Sequence, residues 1–122
     1  MQLKTPANRY CWDNLPQDFP MQLLSRRRII GERMMISQVF LKKGCFVPTH
    51  AHANEQFACI MSGELRFGIG AEGAADRYEI NVRAGEVIHL PSNVPHSAEA
   101  VSDTEVLDLF SPPSQKTGID QH

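Results

Sequence analysis

The sequence predicts an all-β domain, a small antiparallel sandwich or barrel with an extended N-terminal arm. Short apolar segments recur along the chain from about residue 22, and Gly, Pro, Asn and Asp residues separate them. No segment shows a convincing helical repeat of apolar residues. The 122 residues are enough for one domain with one hydrophobic core.

The strand candidates are, in chain order, QLLSRRRII, RMMISQVFL, FACIMSGELRFGIG, DRYEINV, EVIHLP, SAEA and EVLDLF. Turn-forming stretches such as KKG, GAEGAAD and PSNVP lie between them. We divide the chain into an N-terminal arm and edge strand (residues 1–33), a barrel (34–112) and a tail (113–122). The tail is interrupted by prolines, and we expect it to fray beyond its first few residues.

The composition is that of an ordinary soluble protein, with 42% hydrophobic residues, 21% charged residues and a formal net charge of −2. This balance favours neither nucleic acid nor an anionic membrane as a partner, so we expect a small-molecule substrate. The N-terminus lacks the apolar core of a signal peptide, and no stretch approaches the roughly 18 apolar residues of a membrane span. Three cysteines without framework spacing indicate reduced thiols and a cytoplasmic protein.

Several strand candidates are apolar on both faces. In EVLDLF, Val106 and Phe110 share one side with Asp108, whereas Leu107 and Leu109 lie on the other. The outer face of an isolated small barrel contacts water, and its strands therefore alternate more cleanly. We expect a second copy of the chain to cover the outer face, in a homodimer that the N-terminal arm helps to form.

The stretch HAHANEQ predicts a metal site. His50 and His52 are one residue apart and therefore project to the same side of an extended chain, and Gln56 has the same parity. A fourth candidate donor, His96, follows a turn bounded by prolines. Imidazole binds zinc, copper, iron and nickel, and an amide oxygen is a harder, weaker ligand. The alternative is that each histidine is a structural polar group with ordinary hydrogen bonds.

The spacing of these residues resembles the two sequence motifs of the cupin family. The first cupin motif is a glycine, five residues, H-x-H, three or four residues, a glutamate, six residues and a glycine. This chain has Gly44, five residues, His50-Ala51-His52, three residues, Gln56, six residues and Gly63. The second motif is a glycine, five residues, P-x-G, two residues, a histidine, three residues and an asparagine. Here it becomes Gly85, five residues, Pro91-Ser92-Asn93, two residues, His96, three residues and Ala100.

The resemblance implies a jelly-roll barrel that holds one divalent transition metal ion (Zn, Ni, Mn, Fe or Cu) on His50, His52, Gln56 and His96. Gln56 stands where most cupins have a glutamate, so all four donors are neutral. A neutral donor set leaves the charge of the ion uncompensated, which favours Lewis-acid chemistry or anion capture. Asn93 replaces the turn glycine, and asparagine tolerates a positive φ better than most residues.

HANEQ, SNVPHSAEA and DTEVLDLFSPP resemble the small cupins of pectin and alginate degradation, which convert unsaturated uronates to linear keto sugars. This resemblance implies that Asp108 is catalytic and that Phe110 lines the pocket, where we also place Ala58 and Arg66. Those proteins carry an arginine for the substrate carboxylate where this chain has Ser114.

Chemistry alone leads to a compatible interpretation of Asp108. A carboxylate in an apolar strand must be paired, ligated or protonated, and beside a metal cavity it can act as a general acid or base. The alternative is a structural aspartate bonded to the backbone or to an arginine such as Arg66. We expect His89 to be a core or wall residue, and Glu55 to lie outside the ligand set.

Three functions are compatible with these residues. The first is a metal-dependent lyase or isomerase that acts on a small sugar acid or a related oxygenated metabolite. The second is a metal-dependent dioxygenase, which the missing carboxylate ligand disfavours. The third is a cupin that binds a small ligand without turnover, because fold does not determine function.

Overall fold

The structure is a computed structural model that describes residues 6–119, and it confirms the all-β prediction. Ten strands form two antiparallel sheets. The strands are β1 (Asp18–Met21), β2 (Leu24–Ile30), β3 (Met35–Leu41), β4 (Phe46–His50), β5 (Glu55–Ser62), β6 (Glu64–Ile69), β7 (Tyr78–Arg83), β8 (Val87–Leu90), β9 (His96–Ala100) and β10 (Thr104–Ser111). Within the described range, the helical structure is one 3₁₀ turn at Trp12–Asn14, and no helix is long and apolar enough to cross a membrane.

The two sheets form a jelly-roll barrel. The larger sheet has the strand order β1-β2-β3-β10-β5-β8, and the smaller has β4-β9-β6-β7. Strand β3 shows why they pack together: its residues alternate between buried and half-buried over the whole strand, so one face meets the core. The core lies between the sheets and is formed by Leu24, Val39, Leu41, Cys45, Val47, Ala58, Ile60, Leu65, Phe67, Val82, Leu90, Ala100 and Val106.

Two strands were not predicted, and one predicted strand is divided. Strands β1 and β4 were not among the candidates, and FACIMSGELRFGIG forms both β5 and β6, with Gly63 between them. Gly63 has φ +85°, and a Cβ at this position would collide with the backbone of Asp103 and Thr104. A glycine is therefore required where the chain passes from the larger sheet to the smaller one.

The N-terminal part of the chain contributes directly to the barrel. Strand β2 pairs with β3 from Leu24↔Leu41 to Ile30↔Met35, so it is an integral strand of the larger sheet. Residues 1–5 of the predicted arm lie outside the described residues.

Residues 114–119 are here called the C-terminal segment. The prediction that the tail frays beyond its first few residues is wrong for residues 117–119. Thr117 is buried, and the backbone of Gly118 lies against the ring of His50, where a Cβ would collide with it. The Arg28 guanidinium also donates a hydrogen bond to the Gln115 carbonyl oxygen at 3.0 Å. The segment thus packs on the barrel. Residues 120–122 lie outside the described part of the chain.

Candidate metal centre

Two neighbouring strands of the smaller sheet bring the histidines together. His50 ends β4, His96 begins β9, and the two residues are directly paired across these strands. His52 follows β4, and the backbone N–H of Asn93 donates to its carbonyl oxygen at 2.8 Å. Asn93 has φ +66°, the positive value expected for the residue that replaces the turn glycine. This turn therefore fixes the position of His96 relative to His52.

The three imidazoles form one cluster. One possible ligand atom from each of His50, His52 and His96 lies within 4.8 Å of the others. His96 is buried, and the other two are partly buried. The cluster lies beside a cavity between the two sheets, whose lining includes His50, His96, Gln56 and Asp108.

Backbone carbonyl groups set the tautomer of all three rings. Nδ1 of His50 lies 2.8 Å from the Pro48 carbonyl oxygen, Nδ1 of His52 3.0 Å from that of Asn54, and Nδ1 of His96 2.9 Å from that of Val94. A carbonyl oxygen only accepts hydrogen bonds, so each Nδ1 carries the proton. Each neutral ring therefore has its lone pair on Nε2. Metal-binding histidines have the same arrangement, because their other ring N–H usually donates to a carboxylate, a backbone carbonyl or a water.

Gln56 supplies a second kind of donor at the cluster. Its Nε2 donates to Asp108 Oδ1 at 2.9 Å, and this bond turns its Oε1 toward His52 Nε2, 3.1 Å away. Both of these facing atoms are acceptors and repel each other unless a cation lies between them. Their separation is close to the roughly 3 Å between donors 90° apart on one ion with bonds of about 2.1 Å. The residues present therefore fit a metal ion.

Burial keeps two of the rings in the form that binds metal. Desolvation is the main cause that lowers the pKa of His50, and the neighbouring His52 lowers it further. The pKa of His96 is lowered to about 4, again mainly by burial, with contributions from His50 and His52. At neutral pH both rings are uncharged, so metal binding needs no proton release from them.

Asp108 lies inside the barrel on β10, and its Oδ1 is bonded to Gln56 as described above. The surface that it exposes faces the cavity. Burial raises its pKa to about 7, although the hydrogen bond from Gln56 opposes this shift. No residue between 6 and 119 donates a hydrogen bond to its Oδ2, and Arg66 does not contact it. Asp108 therefore carries a carboxyl group that exchanges its proton near neutral pH.

This shift predicts a pH dependence of stability in the metal-free protein. Between about pH 4 and pH 7 the unfolded chain ionises Asp108 while the folded chain keeps it protonated, so the free energy of unfolding falls as pH rises. The rise of the pKa from its usual value to about 7 corresponds to roughly 4 kcal/mol. Asp108→Asn removes this contribution, so the variant should gain stability relative to the wild type from pH 5 to pH 8.

Urea unfolding of both chelator-treated proteins at pH 5 and pH 8 measures the difference. The histidines contribute with the opposite sign, because their lowered pKa values make stability fall as pH falls, but this contribution is common to both proteins. An equal change with pH in the two proteins would contradict the raised pKa of Asp108.

The other predicted pocket residues have different positions. Phe110 lines the cavity and meets His52 edge-on, with ring centroids 5.7 Å apart. Ala58 faces the core beside Asp108 but is not among the residues that line the cavity. Placing Arg66 in the pocket is wrong: it alternates with the inward-facing Leu65 and Phe67, and its Nη1 bonds Glu99 Oε1 at 3.1 Å on the outer face.

His89 is not a core residue, so that expectation is also corrected. Its ring is 45% exposed, stacks on Phe57 and lies 2.7 Å from Glu55 Oε2 on the outer face of the larger sheet. Glu55 lies outside the ligand set, as expected. The difference arises because β8 pairs with β5 at Phe57↔His89, which places both side chains on the outer face.

The sequence did not reveal two contributions to the cavity lining. Arg26 lines the cavity from β2, and Thr117 and Ile119 line it from the C-terminal segment. Arg26 is 2% exposed. The available signal for Arg26 was a charged residue at the centre of a strand candidate, at the same parity as Leu24.

Comparison with known proteins identifies the family. The family model described as the cupin domain matches residues 37–110, which is more than half of the chain. The chain belongs to the cupin family. No curated protein sequence matches this cupin.

Solved structures share the cupin fold. An RmlC-like cupin from Shewanella frigidimarina has a TM-score of 0.79 at 20% identity, with 90% of this chain and 95% of that chain covered. KdgF from Halomonas sp. has a TM-score of 0.79 at 18% identity, with 90% of this chain and 97% of that chain covered. A variant of oxalate decarboxylase from Bacillus subtilis has a TM-score of 0.79 at 21% identity, with 93% of this chain and 32% of that chain covered.

The cupin thus spans about a third of the oxalate decarboxylase chain. Another structure of that enzyme concerns its Mn(II) centres. At these identities the likeness establishes the fold, and the histidine cluster establishes that this cupin has residues able to hold a metal ion.

Proposed function

We propose that this cupin is a metal-dependent lyase or isomerase that acts on a small sugar acid or a related oxygenated metabolite. The observation that carries the proposal is the contact between a neutral donor set and a protonatable carboxyl group. His50, His52, His96 and the amide oxygen of Gln56 would hold the ion, and the amide N–H of Gln56 bonds Asp108. The side-chain amide of Gln56 would thereby contact the ion through its oxygen and Asp108 through its nitrogen.

A bound divalent ion would supply a Lewis acid that polarises a carbonyl or hydroxyl oxygen. The chain itself supplies the proton transfer. Asp108 faces the cavity with a pKa raised to about 7, so at neutral pH the protonated and ionised forms are both populated. A group with this pKa can take a proton from one carbon or oxygen of the substrate and return it to another. Lyase and isomerase reactions both need such a step.

The position of Phe110 supports substrate binding in the part of the cavity next to Asp108. It closes the cavity beside His52 and is 4% exposed, so it excludes water from the space next to Asp108. Ser114 occupies the position where the small uronate cupins carry an arginine, and its hydroxyl bonds the Lys116 carbonyl oxygen. A cation for an acidic substrate would have to come from elsewhere in the cavity.

Elemental analysis of the protein as isolated, followed by assays on a panel of unsaturated uronates, tests the proposal. We expect about one transition metal ion per chain, and the absorbance of the unsaturated sugar should fall with time. Chelation should stop the reaction, and the returned ion should restore it. A protein that is isolated without metal, and that converts no member of the panel after addition of Zn, Ni, Mn, Fe or Cu, would refute the proposed function.

We also propose that the cupin is a homodimer formed through the outer face of the larger sheet. Phe57 and Met61 of β5 and Val87 of β8 are 41%, 55% and 56% exposed on this face, and Leu107 and Leu109 lie on the neighbouring strand β10. An apolar sheet face of this kind is typical of a twofold interface. The cysteines are unpaired, which supports the proposed cytoplasmic location.

Light scattering at micromolar concentration should show a dimer. Met61→Lys places a charge on this face and should shift the mass toward the monomer. Tyr78→Lys is the matched control, because Tyr78 is 57% exposed on the other sheet, and it should leave the dimer intact. A monomeric wild-type protein would contradict the proposal.

A further inference from the structure

The loop between β6 and β7, residues 70–77, is tied to the two strands that carry His50 and His96. Within this loop, Arg77 Nη2 lies 3.5 Å from Glu72 Oε1. The Thr49 hydroxyl of β4 donates a hydrogen bond to the same Glu72 oxygen. On the side of β9, Arg77 Nη2 donates to the hydroxyl oxygen of the next residue after His96 at 2.9 Å. These contacts form one continuous chain on the outer face of the smaller sheet, here called the outer clamp: Thr49, Glu72, Arg77 and Ser97.

Two members of the outer clamp are the immediate neighbours of proposed metal ligands. Thr49 precedes His50 in β4, and Ser97 follows His96 in β9. His50 and His96 are paired with each other across these strands. Because adjacent residues of a strand point to opposite faces, a contact that fixes Thr49 or Ser97 outside also fixes the neighbouring imidazole inside.

We propose that Glu72 and Arg77 are positioning residues for the metal centre. They hold the ends of β4 and β9 in the register that brings the imidazoles of His50 and His96 to one ion. The inference rests on the metal site of the proposed function, and it needs no assumption about the substrate.

The pairing of β4 with β9 is irregular just before the histidines. From the pair Val47↔Ala98 to the pair His50↔His96, β4 advances by three residues and β9 by two. This is the count of a β-bulge, whose extra residue interrupts the ladder of backbone hydrogen bonds and re-aims the side chains around it. The Pro48 carbonyl oxygen, inside the bulge, faces Nδ1 of His50 at 2.8 Å. Contacts from outside the ladder therefore help to determine where the His50 ring points, and the outer clamp supplies such a contact.

The smaller sheet has a fitted place for Arg77. The side chain is 21% exposed, and its Nη1 donates to the Gly70 carbonyl oxygen. Gly68, which pairs with Ser97, lies under the guanidinium, and a Cβ at this position would collide with Nη2. A glycine inside a strand is typical of such a close approach. The Gly70 N–H also donates to the Pro95 carbonyl oxygen at 2.8 Å, so the loop is attached to the turn before β9 as well.

Competition with a chromophoric chelator for Zn²⁺ tests this role without turnover. Arg77→Met removes the contacts of the guanidinium and should weaken Zn²⁺ binding by about 10- to 100-fold, the usual effect of losing contacts that orient a metal ligand. Thr49→Val keeps the shape of the side chain and removes one hydroxyl, so it should weaken binding by about 3- to 10-fold, the contribution of one hydrogen bond. Arg77→Lys keeps the charge and should restore part of the affinity lost in Arg77→Met.

Arg83→Met is the matched control. Arg83 also lies on the outer face of the smaller sheet, with its Nη2 3.4 Å from Glu64 Oε2. Glu64 begins β6, at the opposite end of the strand from Ile69, which pairs with His96. The control should therefore keep the wild-type affinity for Zn²⁺. The visible absorption of the Co²⁺-substituted protein reports the coordination geometry, and it should change in Arg77→Met and not in Arg83→Met.

Urea unfolding of the metal-free proteins separates positioning from general stability. The Glu72 side chain is 69% exposed, and an exposed ion pair contributes little to the free energy of unfolding, so Arg77→Met and Arg83→Met should have similar midpoints. Wild-type Zn²⁺ affinity in folded Arg77→Met would overturn the proposal, as would an equal loss of affinity in Arg83→Met. Thr49→Val carries the test if Arg77→Met does not fold, and unchanged affinity in that variant then overturns the proposal.

Three outcomes separate this inference from the proposed function. Zn²⁺ affinity that depends on the outer clamp, in a metal-loaded protein that converts no uronate of the panel, would support this inference and count against the proposed activity. Metal-dependent turnover with wild-type Zn²⁺ affinity in both Arg77→Met and Thr49→Val would refute this inference alone. A wild-type protein that binds no transition metal ion would refute both.

Discussion

His52→Ala should lose the metal and the activity together. The substitution removes one of three clustered imidazoles and the ring nitrogen that faces the Gln56 oxygen. Loss of an outer hydrogen bond to a metal ligand already lowers affinity by about 10- to 100-fold, so loss of the ligand itself should exceed 100-fold. Titration against a chromophoric chelator measures the affinity, and elemental analysis measures the metal that remains after purification.

His89→Ala is the matched control for this experiment. It removes the same chemical group from the outer face, where His89 stacks on Phe57 and contacts Glu55. The control should retain the wild-type metal content and affinity. Unchanged metal affinity in His52→Ala, or an equal loss in both variants, would contradict the assignment of the cluster as the metal centre.

Asp108→Asn should reduce the turnover number by about 10²- to 10⁴-fold, the usual contribution of a positioned general acid or base. The asparagine keeps an Oδ1 that accepts the amide N–H of Gln56, so the orientation of Gln56 toward His52 should persist. Metal content should therefore equal that of the wild type. The substitution removes the one property that the proposed mechanism needs from this residue, an exchangeable carboxyl proton.

The measurement requires turnover per folded, metal-loaded molecule, with any substrate that the panel identifies. Active-site concentration is taken from the metal content, so that a loss of folding is not counted as a loss of chemistry. Turnover within a factor of three of the wild type would exclude Asp108 from proton transfer. A loss of metal in this variant would instead show that Asp108 acts by holding Gln56.

Local sequence patterns predicted the parts of this molecule that depend on local geometry. The parity of His50 and His52 follows from the extended chain, and the tolerance of Asn93 for a positive φ follows from its own side chain. Strand β4 was missed because FVPTH contains a proline and little alternation. Nothing local in its sequence indicates that His50 would pair with His96 on β9.

The remaining errors have a common physical origin in strand register. A one-residue shift moves every side chain to the other face, and register is set by pairing with distant strands. The run of arginines at 26–28 therefore did not reveal which side chain points inward, and Arg66 and His89 were placed on the wrong face. The C-terminal segment has no periodic pattern, so its packing on the barrel could not be inferred from the sequence alone.

The contact between Gly118 and His50 couples the C-terminal segment to the proposed metal ligands. Because the backbone of Gly118 leaves no room for a Cβ beside the imidazole, any shift of that ring changes the fit of the C-terminal segment. Thermodynamic reciprocity then applies: the factor by which docking of the segment changes the affinity for metal is the factor by which metal changes the docking equilibrium. Susceptibility of residues 114–119 to proteolysis would thus report metal occupancy, although this segment contains none of the proposed metal ligands.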